Sequence, residues 1–92
     1  MNALPKVKFY GALRKYTKAR QLEIDGDNVG IVLQRVCKDN PGLKKALFDD
    51  EGKLHPYVRI MVNGRAIELA QGLETPLTSE QEVALFPPIA GG

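Results

Sequence analysis

Residues 57–69 read YVRIMVNGRAIEL. Six residues rich in aromatic and β-branched types run straight into Asn63-Gly64, a dipeptide strongly favoured in two-residue hairpin turns. The stretch predicts a strand over residues 57–62, with a returning partner in RAIEL. Strand alternation puts Val58, Ile60 and Val62 on one face and leaves Tyr57, Arg59 and Met61 on the other.

Working upstream, KVKFY at residues 6–10 alternates polar and apolar positions, with Val7 and Phe9 inward and Tyr10 outward. RQLEID at residues 20–25 alternates again, with Leu22 and Ile24 on one face, so the two pieces read as a hairpin with a basic turn. Asp27 and Asn28 are both good N-cap residues. After them Val29, Val32, Leu33, Val36 and Cys37 repeat at the i, i+3, i+4, i+7, i+8 spacing of a buried helical stripe. That helix should end near Asn40, before Pro41 and Gly42. LKKALFDD predicts a second, shorter helix with Leu43, Leu47 and Phe48 inward, and DDEGK a turn.

Downstream, TPLTSEQ at residues 75–81 reads as one helical turn with Pro76 in its first turn. EVALF at residues 82–86 is the last strand, with Val83 and Leu85 inward and Ala84 and Phe86 outward. The order strand, strand, helix, short helix, strand, short strand, strand implies an α+β domain: a mixed sheet covered on one face by one main helix. The other face is left bare. Tyr10, Met61 and Phe86, with Tyr57 and Arg59, fall there; they read either as scattered exposed side chains or as an interface patch.

A chain of 92 residues with 43% apolar and 26% charged content supports one modest core. Such a core leaves little room for an enclosed active site, which moves the expected function to the surface or the termini. Thirteen Lys and Arg against eleven Asp and Glu give +2, too weak and too mixed a field to argue for a nucleic-acid partner. The basic cluster of Arg14, Lys15, Lys18 and Arg20 reads as a solvated turn or as a docking patch for an acidic partner. No apolar run approaches a membrane span, no signal segment is evident, and Cys37 is the only cysteine, so the expected setting is the cytoplasm, with no membrane partner.

Familiar catalytic arrangements are missing. Cys37 falls on the helix's apolar stripe, where a cysteine is usually a small buried hydrophobe. His55 is the only histidine, beside Pro56 in a loop, with no nucleophile tied to it. Asp49, Asp50 and Glu51 lack calcium-loop spacing, and no metal site is expected. No Gly-rich phosphate loop is present, so no cofactor is expected on this chain alone.

What remains is the tail, FPPIAGG. Two glycines at the end occur by chance in about half a percent of average sequences, and here they come directly after a strand and a Pro-Pro step. Pro87 and Pro88 favour an extended arm. Ile89 and Ala90 offer small apolar contacts, while Gly91 and Gly92 present the narrowest cross-section a tunnel could select. The group delivered is a carboxylate; attack on the α-phosphate of ATP would make it an acyl donor, with the ATP held by another protein.

This element order ending in FPPIAGG resembles the MoaD/ThiS family of ubiquitin-like sulfur carriers, and is most similar to the small subunit of molybdopterin synthase. VKFYGALRKYT is similar to that family's first hairpin, and the resemblance covers essentially the whole chain. It implies a β-grasp domain over residues 1–86 and a flexible Gly-Gly tail over residues 87–92. It further implies a protein that is a co-substrate, not an enzyme. A MoeB/ThiF-like activating enzyme, using ATP and Mg, would adenylate Gly92, and a persulfide donor would convert it to a thiocarboxylate. The arm from Phe86 to Gly92, with the tail residues Pro87, Pro88, Ile89, Ala90, Gly91 and Gly92, would then thread into a MoaE-like large subunit. The bare sheet face around Phe86, Met61, Tyr10, Tyr57 and Arg59 would dock the partner. Within the same class stand thiamine or tRNA sulfur transfer and conjugation to lysines; from another class, a noncovalent ubiquitin-like module. PGLKKALFDDEGKLHP is longer than the matching connection in the shortest carriers, which leaves a different acceptor open.

Overall fold

The computed structural model describes residues 4–17 and 19–87. Its strands are β1 (Lys6–Phe9), β2 (Gln21–Glu23), β3 (Arg59–Val62), β4 (Arg65–Ala66) and β5 (Glu82–Phe86); its helices are α1 (Val29–Asp39) and α2 (Pro41–Leu47). They form one five-stranded mixed sheet in the order β2-β1-β5-β3-β4. β1 and β5 run parallel at its centre, and the other pairs are antiparallel. This is the mixed sheet with one main helix that the sequence pattern predicts, in the β-grasp arrangement that the resemblance implies.

The register explains the burial. Val7 pairs with Val83 and Phe9 with Leu85, while Val62 and Ile60 of β3 pair with the same two β5 residues. All six side chains therefore share one face, and all are buried. α1 lays Val29, Val32, Leu33, Val36 and Cys37 onto that core. Its N-cap is Asn28, whose Oδ1 accepts from the Ile31 N–H at 2.8 Å. α2 begins ahead of its first apolar residue because Pro41 supplies the first helical position, and it adds Leu43 and Leu47. Phe48 is half-buried at its end.

The Asn63-Gly64 turn forms as expected: both residues have positive φ, 48° and 82°. Asn63 also ties the hairpin to β5, its N–H donating to Glu82 C=O at 2.9 Å and its Oδ1 accepting from Glu82 N–H at 2.8 Å.

Four local expectations are corrected. The basic turn of the first hairpin is not wholly solvated: residues 11–16 form a 3-10 segment, Gly11–Tyr16, that buries Leu13 and lays Tyr16 against Gly42 of α2. The returning strand is only Arg65–Ala66, because the chain tightens at Ile67–Leu69 and turns Ile67 into the core. Tyr57 lies ahead of β3. TPLTSEQ forms no helical turn. Its backbone instead runs alongside the start of α1: Thr75 C=O accepts from Val29 N–H at 3.1 Å, and Leu77 N–H donates to Asp27 C=O at 2.8 Å. Pro76 sits between them opposite Asn28, and pairing with a neighbouring segment replaces the hydrogen bonds a local turn would have made.

Candidate functional site at the bare sheet face and the chain exit

With Val7, Phe9, Val83, Leu85, Ile60 and Val62 facing the helices, the alternate positions face away from them. Register aligns Lys8, Ala84 and Met61 in one row and Phe86 with Arg59 in the next. Ala84, Met61 and Phe86 are half-buried and Arg59 is exposed. Lys8 Nζ reaches Glu82 Oε2 at 3.0 Å, and this partner holds the Lys8 ammonium above its ordinary value. The apolar part of the face is therefore concentrated at one end, where β5 finishes. The chain leaves from that end.

That exit is built by Tyr10 and Gly11, the two residues that follow β1, and by Phe86 and Pro87, the last residue of β5 and the one after it. Tyr10 N–H donates to Leu85 C=O at 3.1 Å, which carries the β1–β5 ladder one residue past Phe9. The Tyr10 and Phe86 rings stack with centroids 4.7 Å apart and planes 10° from parallel. Gly11 then turns at φ +56°, and a Cβ on it would lie 3.0 Å from Pro87 Cγ. Arg14 is anchored by its Nε–H donating to Phe9 C=O at 3.0 Å, which brings its guanidinium carbon to 6.0 Å from the Tyr10 ring centre. Lys8, Tyr10, Arg14, Arg20 and Gln21 line a shallow recess of about 200 Å³ beside the stack.

Of the residues singled out from sequence, Tyr10, Phe86, Arg59 and Met61 are brought together on this face. Tyr57 is not part of the sheet; it is 59% exposed and stacks on the His55 ring at 5.4 Å. Pro87 is the last described residue, and Pro88, Ile89, Ala90, Gly91 and Gly92 lie outside the described residues, as does Lys18 of the basic cluster. Gly11 was not anticipated as part of the site. Its one sequence signal is position, directly after a strand whose end must turn sharply.

The other titratable groups are placed away from the exit. Burial among the helix residues pushes the Cys37 thiol up to about 11, opposed in part by the charge of Lys44. The Asp49 carboxylate is held below its ordinary value, chiefly by hydrogen bonds from the backbone of Lys53 and Glu51. Among the described residues, no group of three or more His, Cys, Asp or Glu is arranged to hold a metal ion. No helix among them is long and apolar enough to cross a membrane. The described residues thus bring Tyr10, Arg59, Met61 and Phe86 together on one face of the sheet, beside the point where the chain passes Pro87.

Comparison with known proteins gives a consistent relationship. The model of the ThiS family matches residues 7–92. A putative sulfur carrier protein of Archaeoglobus fulgidus is 40% identical over 77 residues, covering 77% of this chain and 83% of that protein. The solution structure of small archaeal modifier protein 1 from Methanosarcina acetivorans matches with a TM-score of 0.87 and 32% identity, over 100% of this chain and 99% of that one. The crystal structure of the Amycolatopsis orientalis BexX/CysO complex includes a chain matching at TM-score 0.84 and 27% identity, over 96% of this chain and 99% of that one.

Proposed function

The chain belongs to the ThiS family of ubiquitin-like sulfur carriers, and we propose from that premise that its Gly92 carboxylate is the group on which it carries sulfur. The observation that supports this most is that the family match runs through residue 92, so the Gly91-Gly92 pair falls within the matched region. The reading requires Gly92 to be the carboxyl-terminal residue of the working protein. An activating enzyme would hold ATP and Mg and let the Gly92 carboxylate attack the α-phosphorus, releasing pyrophosphate. A persulfide sulfur then displaces AMP from the acyl carbon, and cleavage of its S–S bond by a thiol leaves the thiocarboxylate. This chain is the substrate of those steps and supplies no catalyst. Its contribution is recognition, with the face of Tyr10, Arg59, Met61 and Phe86 docking the partner and Pro87 to Gly92 entering it.

A molybdopterin precursor, held in a MoaE-like subunit, is the acceptor the resemblance implied. The names of the relatives speak instead of sulfur carriage, protein modification and a complex with BexX. We therefore propose sulfur donation to a partner-held acceptor as the first function. Attachment of Gly92 to lysine amines is the second reading, favoured by the full-length likeness to a small archaeal modifier protein. Both share the adenylate and differ in whether sulfur or nitrogen attacks it.

Incubation with ATP-Mg, the activating enzyme of the same organism and a persulfide donor, with intact mass as the readout, tests this. One oxygen exchanged for sulfur, and no exchange once Gly92 is deleted, is the expected outcome. An unchanged mass with partners shown to charge another carrier would sink the sulfur reading. Loss of one water on joining to a lysine-bearing protein would favour modification.

A further inference from the structure

Residue 11 takes no part in the chemistry of Gly92, yet the fold sets it against the first residue of the tail. The Tyr10–Leu85 hydrogen bond and the Tyr10–Phe86 stack fix the strand ends side by side. Gly11 comes after Tyr10 and Pro87 after Phe86, so the pyrrolidine ring comes down over the bare Cα of the glycine. A Cβ there would stand 3.0 Å from Pro87 Cγ and 3.5 Å from Cδ. The ring also locks its own φ. Once it is seated, the peptide unit entering residue 87 has little freedom, and the chain departs from the sheet at one point in one direction.

We propose that Gly11 is a positioning residue for the tail: its missing side chain is the seat for Pro87, and the Tyr10–Gly11 platform under Phe86–Pro87 aims the chain toward the activating enzyme. The inference rests on the reading of Gly92 as the group to be adenylated. Five residues lie beyond Pro87, and a chain that starts in a fixed direction loses less conformational freedom on entering a narrow channel than one that starts in many. That advantage belongs to docking, so it falls on KM rather than on kcat.

The structure also supplies the control. Gly72 has φ +59°, close to that of Gly11, but its Cβ position is open, so Gly72→Ala carries the same kind of backbone strain without touching the exit. Gly11→Ala carries both strain and contact. Gly11→Asn keeps the contact with less strain, because asparagine tolerates positive φ better than most residues. We expect both Gly11 variants to raise KM for thiocarboxylate formation about tenfold with kcat little changed, while Gly72→Ala lowers thermal stability and leaves KM alone. Pro87→Ala in the Gly11→Ala background removes the ring carbons at 3.0 and 3.5 Å and should recover part of the loss. Equal KM values for Gly11→Ala and Gly72→Ala, or no recovery in the double variant, overturn the proposal. If the wild-type protein gains no sulfur, the functional reading fails, and the platform is judged by residual dipolar couplings of the Phe86, Ile89, Ala90, Gly91 and Gly92 amides, the two prolines carrying no N–H. Couplings altered by Gly11→Ala but not by Gly72→Ala support it, and unaltered couplings overturn it.

Discussion

Alkylation of Cys37 separates two places where a sulfur-handling protein could keep its sulfur. The thiol is 5% exposed on the inner row of α1, and burial raises it from the ordinary 9.0 to about 11. Thiol reagents attack the thiolate. A rise from 9.0 to about 11 cuts the thiolate fraction at neutral pH about 100-fold, and limited access to Sγ slows the reaction further. Native protein at about pH 7.5 should therefore react with iodoacetamide at least about 100-fold more slowly than the same chain in urea, as read by intact mass. The folded chain holds this proton more tightly than the unfolded chain, so the stability it contributes is full below 9.0 and is lost as pH rises towards 11. A native rate within about tenfold of the unfolded rate, or a native profile with its midpoint near 9.0, would refute the burial argument. A functional arm completes the test: Cys37→Ala should gain sulfur at Gly92 at the wild-type rate, and loss of charging in a folded variant would move the chemistry to the thiol.

Three further outcomes are expected from the same geometry. Asn28→Ala removes the acceptor 2.8 Å from Ile31 N–H and should cost about 1 kcal/mol, lowering Tm by roughly 4–8 °C for a domain of this size; an unchanged thermal melt would contradict the cap. Asp49 should titrate below 3.8 by NMR, with its turn ordered above that pH and loosened as pH falls through the lower folded value; an ordinary titration, or one unaffected by Lys53→Pro, would deny the backbone hydrogen bonds their role. Tyr10→Ala and Phe86→Ala should couple by about 1 kcal/mol in urea-unfolding stability, and strict additivity would mean the stack does not join the two strand ends.

Much of this fold was legible because its signals are local. The stripe from Val29 to Cys37 needs only helical periodicity to be read, and Asn28 marks its start by its own side chain. Asn63-Gly64 announces its turn because few residues accept positive φ in succession. What failed were segments whose hydrogen-bonding partners lie far along the chain. Residues 75–77 have a turn-like composition, yet they pair with the start of α1 some fifty residues earlier. Leu13 and Tyr16 sit in a polar, basic stretch that gives no stripe, yet Leu13 is buried and Tyr16 lies against Gly42 of α2, a contact with a segment some twenty-five residues away.

By itself, then, the sequence determined which faces of its strands and main helix are apolar, where the hairpin turn falls, and that the chain runs through a Pro-Pro step into two glycines; each comes from side-chain spacing or backbone preference. Only the tertiary structure decided that β1 and β5 lie parallel at the centre of the sheet. That pairing joins residues about seventy-five positions apart and is fixed by the burial of Val7 with Val83 and Phe9 with Leu85. From it comes the exit, because parallel strands end side by side, and so Tyr10 meets Phe86 and Gly11 meets Pro87.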